Sequence, residues 1–266
     1  MSPLSALWLN RYFENKFGIV ACPGRCGTTF LSHLKHPSVV VLQENFFSKY
    51  IFIVSRFSPK LAFLLRSLAI CFICLNPSSK SKHLVLLDPL CIYVDCYALQ
   101  TNNQIFKPKA FLFRDPIEWT ISMEAKIHSL RLSPLIRRLN FTYISSSSPE
   151  YQPLKADLFS KGASFLSIDL FFGYLDICRC IDDFDVELLF FNEIVAPSPT
   201  YYSSLYSTFY RGLLQSLFSQ NKHLSIPRNA SVSFISDFSK HLPVLYSYWN
   251  SFFSHSSGFF IRSIYD

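Results

Sequence analysis

Four short stretches of this sequence are apolar almost without interruption: FGIVA at 17–21, VVVLQ at 39–43, LVLLD at 84–88 and AFLFR at 110–114. A strand with one face in water alternates apolar and polar residues, whereas a strand covered on both faces has no reason to. Runs of this kind predict buried strands of a parallel sheet, provided that helices lie between them. Helical spacing is found in TTFLSHLKH (28–36), in Pro59–Leu75 and in PIEWTISMEAKIHSLRL (116–132). Beyond these come a loop around SSSSPEYQP, an apolar helix leading into YLDICRCI, a strand VELLFFNE (186–193) and a helix that begins at Pro199. The pattern predicts an α/β protein with three layers, α/β/α, around a mainly parallel central sheet. With 266 residues, half of them apolar, the chain suits a single domain over 1–266.

Composition matters where it removes classes of function. Charged residues are only 16% of the chain and aromatics 17%, which excludes a disordered polymer. A net charge of +7 favours anionic partners: phosphates, acidic or sulfated glycans, nucleic acid or an anionic lipid surface. No block of Lys and Arg interleaved with aromatics is present, and no zinc-finger or helix-turn-helix spacing, so nucleic acid is not expected as a partner. Eight cysteines lie mostly within apolar runs. The single CxxC, Cys71 and Cys74, has no second pair at zinc spacing, so buried thiols are expected and no metal site. The start of the chain has its charges after a short apolar stretch, unlike a secretory leader, and a cytoplasmic, reducing location is the expectation. LAFLLRSLAICFICL (61–75) is too short to span a bilayer and carries Arg66 near its centre. A buried or surface-docked helix is expected there, with a peripheral membrane contact through 61–75.

Chemistry concentrates in CPGRCGTTFL (22–31), between the first predicted strand and the first predicted helix. A turn at that place gathers backbone N–H groups, and Gly27 lets the chain close on an anion while Thr28 and Thr29 add hydroxyl donors. The nucleotide-binding pattern GxxxxGK[ST] is not met, because no lysine follows Gly27. Arg25 stands before the glycine instead. A second anion-binding candidate is AFLFRDPIEWTIS, where Arg114 ends a predicted strand, Asp115 and Pro116 start a helix, and Ser122 follows Arg114 by eight residues. Taken structurally, Arg114 is an arginine paired with Asp115 or Glu118.

GIVACPGRCGTTFL resembles the 5′-phosphosulfate loop of the sulfotransferases that use 3′-phosphoadenosine 5′-phosphosulfate (PAPS), commonly written PRSGTTFL or PKSGTTW. FLFRDPIEWTIS is similar to that family's 3′-phosphate element, HPSVVVLQENFF (36–47) to its segment with a short strand followed by KE or QE, and VELLFFNEIVAPSPTYYSSLYSTFYRGL to its later strand and helix. The motifs run in order over 17–215, with 216–266 left as a C-terminal helical or acceptor region.

The resemblance implies a P-loop-like sulfotransferase fold and transfer of a sulfuryl group from PAPS, without a metal, to an acceptor hydroxyl, expected on a carbohydrate. It implies that Arg25 holds the leaving 5′-phosphate, that Cys26, Gly27, Thr28 and Thr29 form the loop around it, and that Arg114 and Ser122 bind the 3′-phosphate. Glu44 matches the carboxylate that takes the acceptor's proton, and His83 is a second candidate base. The chain departs from the pattern at Gly24 and Cys26, and LLDPLCIYVD (86–95) lacks the lysine of the family's corresponding passage. A non-catalytic nucleotide- or glycan-binding protein of the same fold therefore stands as an alternative, and a small-molecule kinase as a third.

Overall fold

The computed structural model describes residues 12–13, 16–33, 36–43, 47–75, 82–101, 103–129, 149–182, 184 and 186–190. Glu44 and the helix expected at Pro199 lie outside them. The chain divides into two compact units, Met1–Phe113 with Asp185–Ile226, and Arg114–Phe184 with Pro227–Asp266.

In the first unit, β1 (Phe17–Ala21) is buried along its whole length. The helix α1 (Thr28–His33) leads to β2 (Val39–Gln43), and α2 (Ser48–Ser55) and α3 (Pro59–Leu75) lead to β3 (His83–Leu87). A short 3-10 turn at Pro89–Cys91 runs into α4 (Ile92–Leu99), followed by β4 (Pro108–Phe113), and β5 (Glu187–Phe190) completes the sheet. Among the described residues all strand pairings are parallel, in the order β2-β3-β1-β4-β5. This is the α/β architecture with a parallel sheet that uninterrupted apolar runs demand. The three inner strands carry the most complete burial, while β2 and β5, at the edges, are only half covered.

One face of the sheet presents Phe17, Ile19, Leu84 and Leu86 to Ile70 and Cys74 of α3. A second cluster, Ile51, Ala62, Ala69, Cys91 and Val94, ties α2, α3 and α4 together. Neither α2 nor α4 is among the elements expected from periodicity, and IFIV and IYV are made of β-branched and aromatic residues, which favour strands locally. Burial of Ile51 and Val94 within the helical cluster overrides that preference. Arg66 turns inward from α3 and pairs with Asp95 of α4, both essentially buried. No helix among the described residues is long and apolar enough to cross a membrane.

In the second unit, α5 (Pro116–Ser129), α6 (Gln152–Ser160) and α7 (Phe165–Asp182) are helical. The α5–α7 contact is built on Trp119, stacked on Tyr174 with ring centroids 4.5 Å apart. Ser164 caps α7 by accepting from Ser167 N at 3.1 Å, and the hydroxyls of both serines donate to the buried Glu124 of α5.

Candidate functional site

The loop from Cys22 to Gly27 leaves β1 at its carboxyl end. Its backbone turns through the left-handed region three times, at Gly24 (φ 79°), Arg25 (φ 52°) and Gly27 (φ 80°). Glycine adopts that conformation freely, but for arginine it costs about 1–2 kcal/mol, because Cβ crowds the following carbonyl. Two buried thiols brace the turn: Gly24 N–H donates to Cys22 Sγ at 3.3 Å, and Cys26 S–H donates to the Gly24 carbonyl at 3.1 Å. Cys26 is thus a structural member of the loop, and the half-exposed Arg25 lies between the buried Gly24 and Cys26. Gly27 stands just before α1, its carbonyl accepting from Leu31 N at 3.0 Å.

Thr28, the first residue of α1, is 4% exposed and accepts from Gln43 Nε2 at 3.3 Å. A hydroxyl that accepts an amide keeps its own proton for another acceptor. Gln43 Oε1 in turn accepts from Ser32 Oγ at 3.0 Å, so the carboxyl end of β2 is fastened to α1 by one side chain. Thr29 is the second residue of the helix. The loop residues Arg25, Cys26, Gly27 and Thr28 are therefore brought together, with Gln43, which sequence reasoning passed over, as their fastening. Its signal was a lone polar residue closing the run VVVLQ.

The sheet order puts a reversal between β1, whose next strand lies to one side, and β4, whose next strand lies to the other. Crevices at such reversals, outside the carboxyl ends of the strands, are where open α/β sheets bind ligands. The loop 22–27 leaves from that edge. So does Asp88, just after β3, which is 4% exposed. Its carboxylate accepts from Leu90 N at 3.2 Å, from Cys91 Sγ at 3.3 Å and from Ser48 Oγ, so it caps the 3-10 turn and holds the start of α2. Close by, burial pushes the Asp95 carboxyl up to about 6 although Arg66 opposes the shift. Burial also pushes the Cys91 thiol well above its ordinary value.

His83 falls elsewhere. It is the first residue of β3, at the amino end, where its N–H donates to Ser38 O at 2.8 Å. Its neighbour Leu84 pairs with Phe17, the first residue of β1. At about 3.3 Å per residue, five residues of β1 separate this edge from Cys22 by roughly 16 Å. His83 and the loop 22–27 lie at opposite ends of the sheet, so the histidine is not placed to serve as a base beside Arg25.

The second candidate element belongs to the second unit. Arg114 stands just past β4, not at its end as expected. Tyr174 fixes its backbone twice: the phenol donates to Arg114 O at 2.8 Å and accepts from Arg114 N at 3.1 Å. Asp115 caps α5, its Oδ1 accepting from Ile117 N at 3.0 Å and Glu118 N at 2.9 Å, and Pro116 takes the first helical position. The Asp-Pro pair is thus a helix start, as its sequence implies. Burial raises the Asp115 pKa to about 6, against the two amides and Arg114 that stabilise its charge. Arg114 Nε meets Glu118 Oε2 at 3.3 Å, the one-turn pairing that the structural reading anticipates, and both side chains remain partly exposed. Ser122 is half-buried on α5.

Among the described residues no group of three or more His, Cys, Asp or Glu is arranged to hold a metal, and all eight cysteines are free thiols. No family model matches the chain, and neither a curated protein nor a solved structure matches it.

Proposed function

We propose that this protein is a PAPS-dependent sulfotransferase acting on a hydroxyl, with a carbohydrate as the acceptor class, and that its fold is the three-layer, P-loop-like form of the α/β class. The observation that carries the reading is Arg25 held in a left-handed conformation at the carboxyl end of a central parallel strand. Backbone strain at a non-glycine residue persists where the surroundings enforce it, and such positions cluster at ligand clamps. Here two thiol hydrogen bonds and two glycines enforce it.

In this reading the acceptor oxygen attacks sulfur in line, an S–O bond forms, and the S–O bond to the 5′-phosphate breaks. Arg25 neutralises the charge that develops on the leaving phosphate oxygen, and the acceptor's proton passes to Glu44. Arg114 and Ser122 take the 3′-phosphate, for which Arg114 would exchange Glu118 for the ligand. Calorimetry with 3′,5′-phosphoadenosine against 5′-AMP and ATP tests the assignment. Micromolar binding that depends on the 3′-phosphate and weakens in Arg25→Ala and Arg114→Ala is expected. Equal binding of all three nucleotides, or no loss in either variant, overturns it.

Asp88 favours a second reading. Where the resemblance calls for a catalytic lysine, the chain has a buried, fully engaged capping carboxylate near that point. A protein that binds the nucleotide without transferring sulfuryl would show the same calorimetric preference and no turnover of labelled PAPS over a broad panel of glycans.

A further inference from the structure

The hairpin of α2 and α3 carries an outward face that a soluble surface does not need. On α3, Leu61, Leu64, Leu65, Leu68, Phe72 and Leu75 are between 38% and 71% exposed. At 100° per residue these six positions fall within a stripe about 100° wide. The opposite stripe, Ala62, Arg66, Ala69, Ile70 and Cys74, is buried in the first unit. On α2, Tyr50 and Ile53 are 60% and 54% exposed, and Phe57, in the turn that joins the helices, is 85% exposed. Together these nine side chains expose about as much surface as five fully bare ones, on the order of 1,000 Å². A monomer's largest apolar patch is ordinarily a few hundred Å².

Charge within the hairpin itself has one sign. Between Phe47 and Leu75 there is no Asp or Glu. Lys49 and Lys60 are exposed, Arg56 lies over the Phe52 ring at 4.9 Å, and the remaining cation, Arg66, is paired with Asp95 inside. A second copy of the chain docked on the same face about a twofold axis would set these lysines against their own kind. An anionic lipid surface complements both features at once, with apolar side chains entering the acyl boundary and lysines meeting headgroups. Spanning is not the mode: α3, with 17 residues, is about 26 Å long, and its inner stripe is already packed.

We infer that the α2–α3 hairpin is an in-plane anchor for anionic membrane surfaces, with Phe57 at its tip and Lys49 and Lys60 as headgroup contacts. The inference is independent of the sulfotransferase reading, since it uses none of the residues of the loop 22–27 or the Arg114 corner. The test is flotation of the full chain with vesicles of phosphatidylcholine alone and of phosphatidylcholine mixed with phosphatidylserine.

The parent is expected to float with the mixed vesicles, less as salt is raised, and not with the neutral ones. Lys49→Gln with Lys60→Gln should lower the partition coefficient about thirty-fold, from two lost lysine contacts. Leu68→Glu with Phe72→Glu should abolish flotation while leaving the circular dichroism spectrum unchanged, because both positions are solvent-facing. Absence of flotation by the folded parent overturns the inference, as does flotation that neither double variant alters. A concentration-dependent dimer that Leu68→Glu with Phe72→Glu dissolves, without vesicle binding, overturns it in favour of a second copy.

Discussion

Asp115→Asn should make the protein more stable at neutral pH, and by an amount that grows as pH rises. Asp115 is 7% exposed, and burial lifts its pKa from 3.8 to about 6. A raised acid pKa means that the native chain holds a proton which the unfolded chain has released. The stability tied to this group is therefore full below pH 3.8 and is lost as pH rises through about 6. Each pH unit of difference is worth about 1.4 kcal/mol, so the loss approaches about 3 kcal/mol at pH 7.

Asparagine keeps the acceptor oxygen that caps Ile117 N and Glu118 N, and it does not titrate. The variant should match the parent near pH 4 and exceed it by up to about 3 kcal/mol near pH 7. Asp95, also raised to about 6, is present in both proteins and cancels in the difference. Urea unfolding followed by tryptophan fluorescence, in a background where Trp8 and Trp249 are replaced by Phe so that Trp119 alone reports, reads the unit that contains the substitution. A difference that stays constant across this range, or a variant that weakens toward neutral pH, would refute the argument that desolvation dominates at Asp115.

Arg66→Met leaves Asp95 buried without its cation and should cost about 3–5 kcal/mol in urea unfolding, most of it recovered when Asp95→Leu is added. Arg25→Gly removes the left-handed penalty but adds freedom to the unfolded chain, so its thermal midpoint should equal or slightly exceed the parent's. Binding of 3′,5′-phosphoadenosine by that variant should fall at least ten-fold, and a drop in both properties would contradict the account of strain. Tyr174→Phe removes both phenol bonds to the Arg114 backbone and should lower stability by about 1–2 kcal/mol, read by the same fluorescence transition.

The sheet was readable because β1, β3 and β4 are covered on both faces, and continuous burial leaves a continuous apolar record in the chain. The helices α2 and α4 were not, because their β-branched and aromatic residues favour strands locally and only the packing of Ile51 and Val94 settles the matter. Asp115 could be read as a helix start, since a cap is a local device. The role of Arg66 could not, since its partner lies 29 residues away and nothing local marks the pairing. His83 shows a further limit: an apolar run announces a strand, but which end of the sheet a residue occupies depends on direction and register. Gln43 likewise acts across a connection to Thr28 and Ser32 that periodicity does not encode.

Cys22 and Cys26 are both 0% exposed while they brace the turn around Arg25. A thiol reagent meets neither sulfur until the turn comes undone, whereas Cys71, Cys96 and Cys180 are reachable in the closed protein. The two sulfurs thus act as a clock for the loop: with the accessible thiols blocked and the buried Cys74, Cys91 and Cys178 told apart by their peptides, the labelling rate of Cys22 and Cys26 counts its openings, and a ligand that seats in the loop would be seen as the clock slowing down.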